Sequence, residues 1–221
     1  MCVLGTRVRR VLVVDNHPIV REGIAQLLAQ QRDLVMCGEA TDAAGARRAV
    51  RELAPDVMVV DLSLGRESGI DLIEALREEA PGLPMLALSM HEESLYARRV
   101  LAAGARGYIM KQEGTTLLLQ AIRTVLAGDV YVSPEVNASL LRSLSNTPEA
   151  PDSPIAALTN RELQVYRLVG AGLGTREIAV ELHLSTKTVE SHRARIKEKL
   201  GLTTATELVV HAAQGLASRR S

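Results

Sequence analysis

Residues 55–69 read PDVMVVDLSLGRESG: four apolar residues at 57–60, then a carboxylate, Asp61, with Gly65 and Gly69 close behind. An apolar run of this length bounded by turn residues predicts a buried strand that delivers one charge to its tip. Burial gains nothing from an acid there, so the acid asks for a function. Similar runs recur at 8–14 (VRRVLVV), 34–40 (LVMCGEA), 84–89 (PMLALS) and 107–110 (GYIM). Helical patterns lie between and after them, at 19–30, 43–53, 69–79, 92–103 and 116–127. Strands alternating with helices predict βα units around a parallel sheet, and continuous apolar runs fit a sheet covered on both faces.

Composition sets the frame. The 221 residues are 47% hydrophobic and 24% charged, enough for one large or two small domains, with no Trp or Phe, so the core falls to Val, Leu, Ile, Ala and Met. No apolar run approaches the roughly 18 residues that span a bilayer, and the N-terminus lacks a signal-peptide layout. Cys2 and Cys37 make neither a metal-ligand spacing nor a disulfide framework, which fits a reducing cytoplasm. A net charge of zero hides an asymmetry. Of 26 basic and 26 acidic residues, ten and seven lie from residue 151 onward, leaving sixteen and nineteen before it. An acidic front and a basic tail predict two modules with different partners.

The pattern changes after Gly128. Residues 133–144 (SPEVNASLLRSL) open on a Ser cap and a Pro and predict a helix, whereas 145–154 (SNTPEAPDSP) has three prolines and the composition of an exposed linker. Beyond it, TNRE (159–162) and TATE (204–207) have capping-box form, and four helices are predicted at about 160–170, 175–182, 186–200 and 205–216. A short helix, the joint HLS (183–185) and a longer basic helix have helix-turn-helix proportions.

Ligands of open α/β sheets sit at the carboxyl ends of the strands. Those ends carry Asp15 and Asn16, Asp61, Ser89 and Lys111. Each alone is as readily a helix cap or a solvated loop residue. Together they offer carboxylates for a divalent cation, a hydroxyl and an ammonium for phosphoryl oxygens, and a carboxylate nucleophile for an acyl phosphate. His17 and His91 have no partner at ligand spacing and read as loop or cap residues. In the tail, Val189, Ile196 and Leu200 form the inward stripe of the basic helix. Thr186, Lys187 and Thr188 are placed for DNA phosphates, and Glu190, Ser191 and Ala194 for base edges.

At these residues the chain resembles the NarL/FixJ-family two-component response regulators: residues 8–128 are similar to their receiver domain, and LTNRELQVYRLVGAGLGTREIAVELHLSTKTVESHRARIKEKLGL (158–202) to the LuxR-type helix-turn-helix. The resemblance implies a five-stranded, flavodoxin-like α/β receiver at 8–128, a linker at 129–154 and an all-α four-helix DNA-binding domain at 155–217. It implies that Asp61 accepts phosphate from a histidine kinase and that Mg2+ is held by Asp15, Asn16, Asp61 and the backbone carbonyl of Ser63. Ser89 and Tyr108 become the switch pair and Lys111 the phosphate sensor, with His192 and Arg195 further DNA-proximal residues. The implied partners are double-stranded promoter DNA, a second copy of the chain through the last helix, and RNA polymerase, in the cytoplasm and without a membrane.

Two departures stand out. Asn16 takes the place of a second Asp, which predicts weaker attraction for a hard dication. The loop after Asp61, LSLGRESG, lacks the family's Met-Pro pair, which predicts a floppier Leu64–Gly65. A second reading therefore keeps DNA binding but makes the receiver a phosphate-independent dimerisation or ligand-sensing module. An aspartate-nucleophile phosphatase is the weakest reading, because Ser63 stands where such enzymes have a general acid.

Overall fold

The five apolar runs form one parallel sheet. In this computed structural model, which describes residues 7–65, 67–90, 93–144 and 154–217, the strands are β1 (Arg9–Val14), β2 (Leu34–Ala40), β3 (Val57–Asp61), β6 (Met85–Ser89) and β7 (Gly107–Met110). Their order is β2-β1-β3-β6-β7. The chain leaves β1 first to one side and then to the other, so the topological switch point lies between β1 and β3. Cys2, His91 and most of the Pro-rich linker lie outside the described residues.

Helices α1 (Pro18–Ala29), α2 (Ala43–Leu53), α3 (Gly69–Glu79), α4 (Glu93–Ala103) and α5 (Thr115–Leu126) cross over between or follow the strands. Strand residues alternate between the two faces. Val11, Val13, Val57, Val59, Leu86, Leu88 and Ile109 pack with α1 and α5 through Ile24, Leu28, Leu118 and Ile122. Leu12, Val14, Met58, Val60, Met85 and Ala87 face the other way and are equally buried. Burial on both faces explains why these strands read as unbroken apolar runs.

The segment after Asp61 is ordered by pairing. Ser63–Leu64 (β4) and Glu67–Ser68 (β5) form a small antiparallel hairpin turned at Gly65, whose φ is 65°, and Leu64 is buried. The two arms pair across this turn, and the left-handed φ of Gly65 is one that its missing Cβ permits. Gly69 then passes so close to β3 that a Cβ there would lie 2.1 Å from the Asp61 carbonyl oxygen.

The first unit continues past Gly128. Tyr131 bridges Gly107 in parallel, accepting from the Tyr108 N–H at 2.8 Å and donating to the Arg106 carbonyl at 2.9 Å. The Ser133 N–H donates to the Glu93 carboxylate at 2.7 Å, just before α6 (Pro134–Leu144). Tyr131, within the linker that the resemblance implies at 129–154, is therefore bridged to the edge of the sheet.

The chain divides into two compact units between Leu141 and Arg142. Past the end of α6 the second holds, among the described residues, a 3-10 turn (Pro154–Ala157) that buries Ile155, followed by α7 (Asn160–Gly170), α8 (Thr175–Glu181), α9 (Thr186–Leu200) and α10 (Ala205–Ala217). Both capping boxes form, at Thr159/Glu162 and Thr204/Glu207. Leu163, Val165, Tyr166, Ile178, Val189, Ile196 and Leu208 build the core. The Tyr166 hydroxyl meets His211 Nδ1 at 2.8 Å and its carbonyl at 3.0 Å, fixing α10 on α7. Among the described residues, no helix is long and apolar enough to cross a membrane.

Candidate phosphoryl site and nucleic-acid interface

Because β1 and β3 are neighbours, their tips bring Asp15 and Asp61 together, and both are almost fully buried. The guanidinium of Arg21 on α1 donates to the Asp15 carbonyl at 2.8 Å and anchors the end of β1. Asp61 is held by pairing of β3 with β6, where it lies opposite Leu88. The register of β6 with β7 sets Ser89 opposite Met110, and the Lys111 N–H donates to the Ser89 carbonyl at 2.7 Å. Lys111 then reaches across the strand tips: its Nζ is 2.7 Å from Asp15 Oδ2 and 2.9 Å from Asp61 Oδ2.

Two buried carboxylates share one ammonium here. Burial pushes the Asp61 carboxyl up, and Asp15 adds to this; Lys111 and the Ser63 backbone N–H pull it back, leaving it at about 6. Asp61 is therefore a carboxylate for the most part at neutral pH, yet poorly solvated. Such a group gains from any further cation. Asn16 is half-buried, and its Oδ1 is buried with no hydrogen-bond partner among the described residues. Asn16 follows Asp15 directly in sequence, and an amide oxygen with two buried carboxylates is a donor set that fits a hard divalent ion.

Tyr108 is fully buried, on the opposite face of β7 from Ile109. The structure also brings in His17, which reads from sequence as a cap residue without a metal partner. It does stand at the N-cap of α1, but its side chain caps nothing. Its Nδ1 instead lies 3.0 Å from Asp15 Oδ1 and 4.0 Å from Asp61 Oδ2. Ligand atoms of Asp15, His17 and Asp61 all fall within 4.8 Å of one another. Adjacency to Asp15 was the available signal; the approach to Asp61, 44 positions away, comes from the fold.

In the second unit, Ser185 caps α9 by accepting from the Thr188 N–H at 3.0 Å, and Gly201 ends it with φ 67°. The turn from α8 puts His183 at φ 51°. Thr186, Lys187, Glu190, Ser191, Ala194 and Arg195 are exposed, and from Lys187 onward they follow the spacing of one helical face. Thr188 is half-buried, its hydroxyl 2.8 Å from that of Ser185. Glu190 accepts from the Thr175 hydroxyl at 2.6 Å, so α8 holds it in place.

His192, which the resemblance implies to be DNA-proximal, has mixed surroundings. It is half-buried, and its Nδ1 is buried without a hydrogen-bond partner among the described residues. Burial lowers its pKa; Arg161 and Arg195 lower it further, against Glu162. The 3.6-residue period explains this: His192 follows Val189 by three and precedes Ile196 by four, so it sits on the inward stripe.

The family assignment follows from the match of both units. The family model for the response regulator receiver domain covers residues 11–123, and that for the bacterial regulatory proteins of the luxR family covers residues 156–212. The chain belongs to the response regulators. The oxygen regulatory protein NreC of Staphylococcus carnosus is 36% identical over 92% of this chain and 96% of its own length. Among solved structures, the Salmonella typhimurium RcsB response regulator aligns with a TM-score of 0.64 at 29% identity, covering 94% of this chain and 98% of that one. RcsB from Salmonella enterica serovar Typhimurium, bound to promoter rprA in the presence of phosphomimetic BeF3-, aligns with a TM-score of 0.61 at 27% identity, covering 94% and 99%. This response regulator therefore joins a receiver to a LuxR-type DNA-binding domain.

Proposed function

We propose that this response regulator accepts a phosphoryl group on Asp61 from a histidine kinase and thereby controls its binding to promoter DNA. The observation that carries the reading is the convergence of Asp61, Asp15 and Lys111 at the switch point of the sheet. With a pKa of about 6, Asp61 is roughly nine-tenths ionised at pH 7, so its oxygen is available as nucleophile. That oxygen attacks phosphorus as the donor's bond to phosphorus breaks, and the electron pair leaves with the donor. The product is an acyl phosphate.

Asp15, Asp61, the Asn16 side-chain oxygen and the Ser63 backbone carbonyl would hold Mg2+, which when bound offsets charge on the phosphoryl oxygens. Lys111 supplies a second positive charge to the same oxygens, and Ser89, from the next strand, a hydroxyl donor. Drawing Lys111 and Ser89 towards the phosphoryl group would disturb the β6 and β7 ends. Tyr108, on β7 and backbone-bonded to Tyr131, is positioned to pass that change on.

The DNA-binding unit would insert α9 into the major groove, with Thr186 and Lys187 at phosphates and Glu190, Ser191, Ala194 and Arg195 towards bases. Val209 and Val210 are exposed on α10 and offer an apolar face for a second copy. Phosphorylation is tested by treating the full chain with acetyl phosphate and measuring intact mass. A phosphoryl-sized gain in the native chain and none in Asp61→Ala supports the reading. No gain in the native chain favours the phosphate-independent alternative.

A further inference from the structure

The metal site of this receiver has a nitrogen donor at its rim. His17 Nδ1 is 3.0 Å from Asp15 Oδ1 and 4.0 Å from Asp61 Oδ2. Two ligands on one ion at bond lengths of about 2.1 Å stand about 3 Å apart when adjacent and about 4.2 Å when opposite. Both separations fall within that span. The side chain is 57% exposed, whereas both carboxylates are buried. It is held there: the His17 N–H donates to Asp15 Oδ1 at 2.8 Å, fixing the backbone that carries the ring.

Charge sharpens the argument. Lys111 occupies Oδ2 of both acids, which leaves two carboxylates facing one ammonium. Asn16 contributes an oxygen but no charge. Mg2+ demands oxygen ligands in near-ideal octahedral geometry; among first-row ions imidazole suits Fe, Ni, Cu and Zn best, and Mn2+, itself chiefly an oxygen-seeking ion, still takes nitrogen more readily than Mg2+. A pocket short of one carboxylate and provided with an imidazole loses more for Mg2+ than for Mn2+.

We propose that His17 is a direct ligand of this site and shifts its preference from Mg2+ towards first-row divalent ions that accept imidazole, for which Mn2+ serves as the paramagnetic probe. The inference rests on reading the Asp15–Asp61 pocket as a divalent-cation site. It does not require that Asp61 be phosphorylated.

The test uses the full chain with Mn2+ as probe, in two measurements. Pulsed paramagnetic resonance of bound Mn2+ should show nitrogen coupling in the native chain and none in His17→Ala. Mn2+ binding, followed through the signal of the free ion, should weaken about tenfold in His17→Ala. Mg2+ binding, measured by competition, should change less than about twofold. His17→Gln, which keeps a polar side chain at the α1 start, should behave like His17→Ala, and unchanged circular dichroism in both would exclude misfolding. Nitrogen coupling that survives in both variants, or equal weakening of both ions, overturns the proposal. If acetyl phosphate adds no mass while the coupling depends on His17, the phosphoacceptor reading fails and the metal assignment stands.

Discussion

Lys111 Nζ lies 2.9 Å from Asp61 Oδ2 with its side chain almost wholly buried. The residue read as the phosphate sensor is thus engaged with the acceptor carboxylate before any phosphate arrives. This bond lets two acids coexist in one pocket, since the same ammonium also serves Asp15. Removing one member of a buried ion pair leaves an uncompensated charge and costs about 3–5 kcal/mol. Lys111→Ala should lose stability of that order at pH 7 in urea unfolding of the first unit. Added Mg2+ or Mn2+ should restore more stability to the variant than to the native chain. A loss under about 1 kcal/mol would mean that the pocket hydrates freely and that the ion pair has little influence on the fold.

The pH dependence follows from the same burial. The folded carboxyl of Asp61 is raised from 3.8 to about 6. Between those values the folded state binds the proton more tightly than the unfolded chain, so this group's contribution to stability falls as pH rises. The loss is complete above pH 6 and amounts to up to about 3 kcal/mol. Asp61→Asn should therefore be more stable than the native chain at pH 7 and gain only about a third as much at pH 4.5, measured without divalent ions. Equal differences at both pH values would contradict the assigned shift.

Glu162 has the opposite sign. Burial pushes its carboxyl up, but hydrogen bonds from Lys199 and from the Thr159 backbone outweigh burial and leave it lowered. Lys199 Nζ is 2.7 Å from Glu162 Oε2, and the Thr159 N–H donates to the same oxygen at 2.8 Å. The stability it supplies is present above the unfolded value, near 4.5, and is lost as pH falls through the lowered folded value. Glu162→Gln should cost about 1–2 kcal/mol at pH 7, by loss of a charge-assisted bond, and less in acid. Amide exchange in α7 and α9 of the full chain reads this directly.

These contrasts show where sequence was sufficient. The sheet strands were legible because burial on both faces leaves unbroken apolar runs, and α2, α7 and α9 because Asp42, Thr159 and Ser185 cap them from their own side chains. Asp15, Asp61 and Lys111 were legible as strand tips, since a parallel sheet brings successive tips to one edge. The β4–β5 hairpin was not, because two-residue strands carry no period and Leu64 gives no sign that it is buried. Tyr131 was not, because its pairing is with backbone. The surroundings of His17 and His192 were not legible for one reason: the side-chain environment of each depends on elements far away in sequence, β3 for one and α7 for the other.

The edge segment gives a prediction about coupling. Tyr108 and Glu93 each hold the residues that lead into α6, through the Tyr131 carbonyl and the Ser133 N–H. Glu93→Ala removes the acceptor at Ser133 and should raise amide exchange at 131–140 at least tenfold without unfolding the sheet. Unchanged exchange there would show that Tyr131 alone anchors the segment.

The docking face proposed along α9 would separate two kinds of DNA contact. Lys187 is exposed in the first turn, and each DNA phosphate that a basic side chain neutralises steepens the salt slope of log K by about 0.9 on B-DNA. Lys187→Ala should weaken all sequences alike and flatten that slope. Glu190 can only accept hydrogen bonds, and the cytosine amino group is its natural donor in the major groove. One of its oxygens, Oε1, is already held by Thr175, which fixes the carboxylate. Glu190→Ala should raise non-specific binding by relieving repulsion from phosphate, and lose about 1–3 kcal/mol of discrimination at one base pair. Thr175→Val should lose part of the same discrimination by freeing the glutamate, with no change in salt slope. His192→Ala is the control: being on the inward stripe, it should alter stability and leave base discrimination intact. Binding across single-base promoter variants at two salt concentrations reads all four. If Glu190→Ala weakens every variant equally, or His192→Ala alters discrimination at one base pair, the docking face drawn along α9 is wrong.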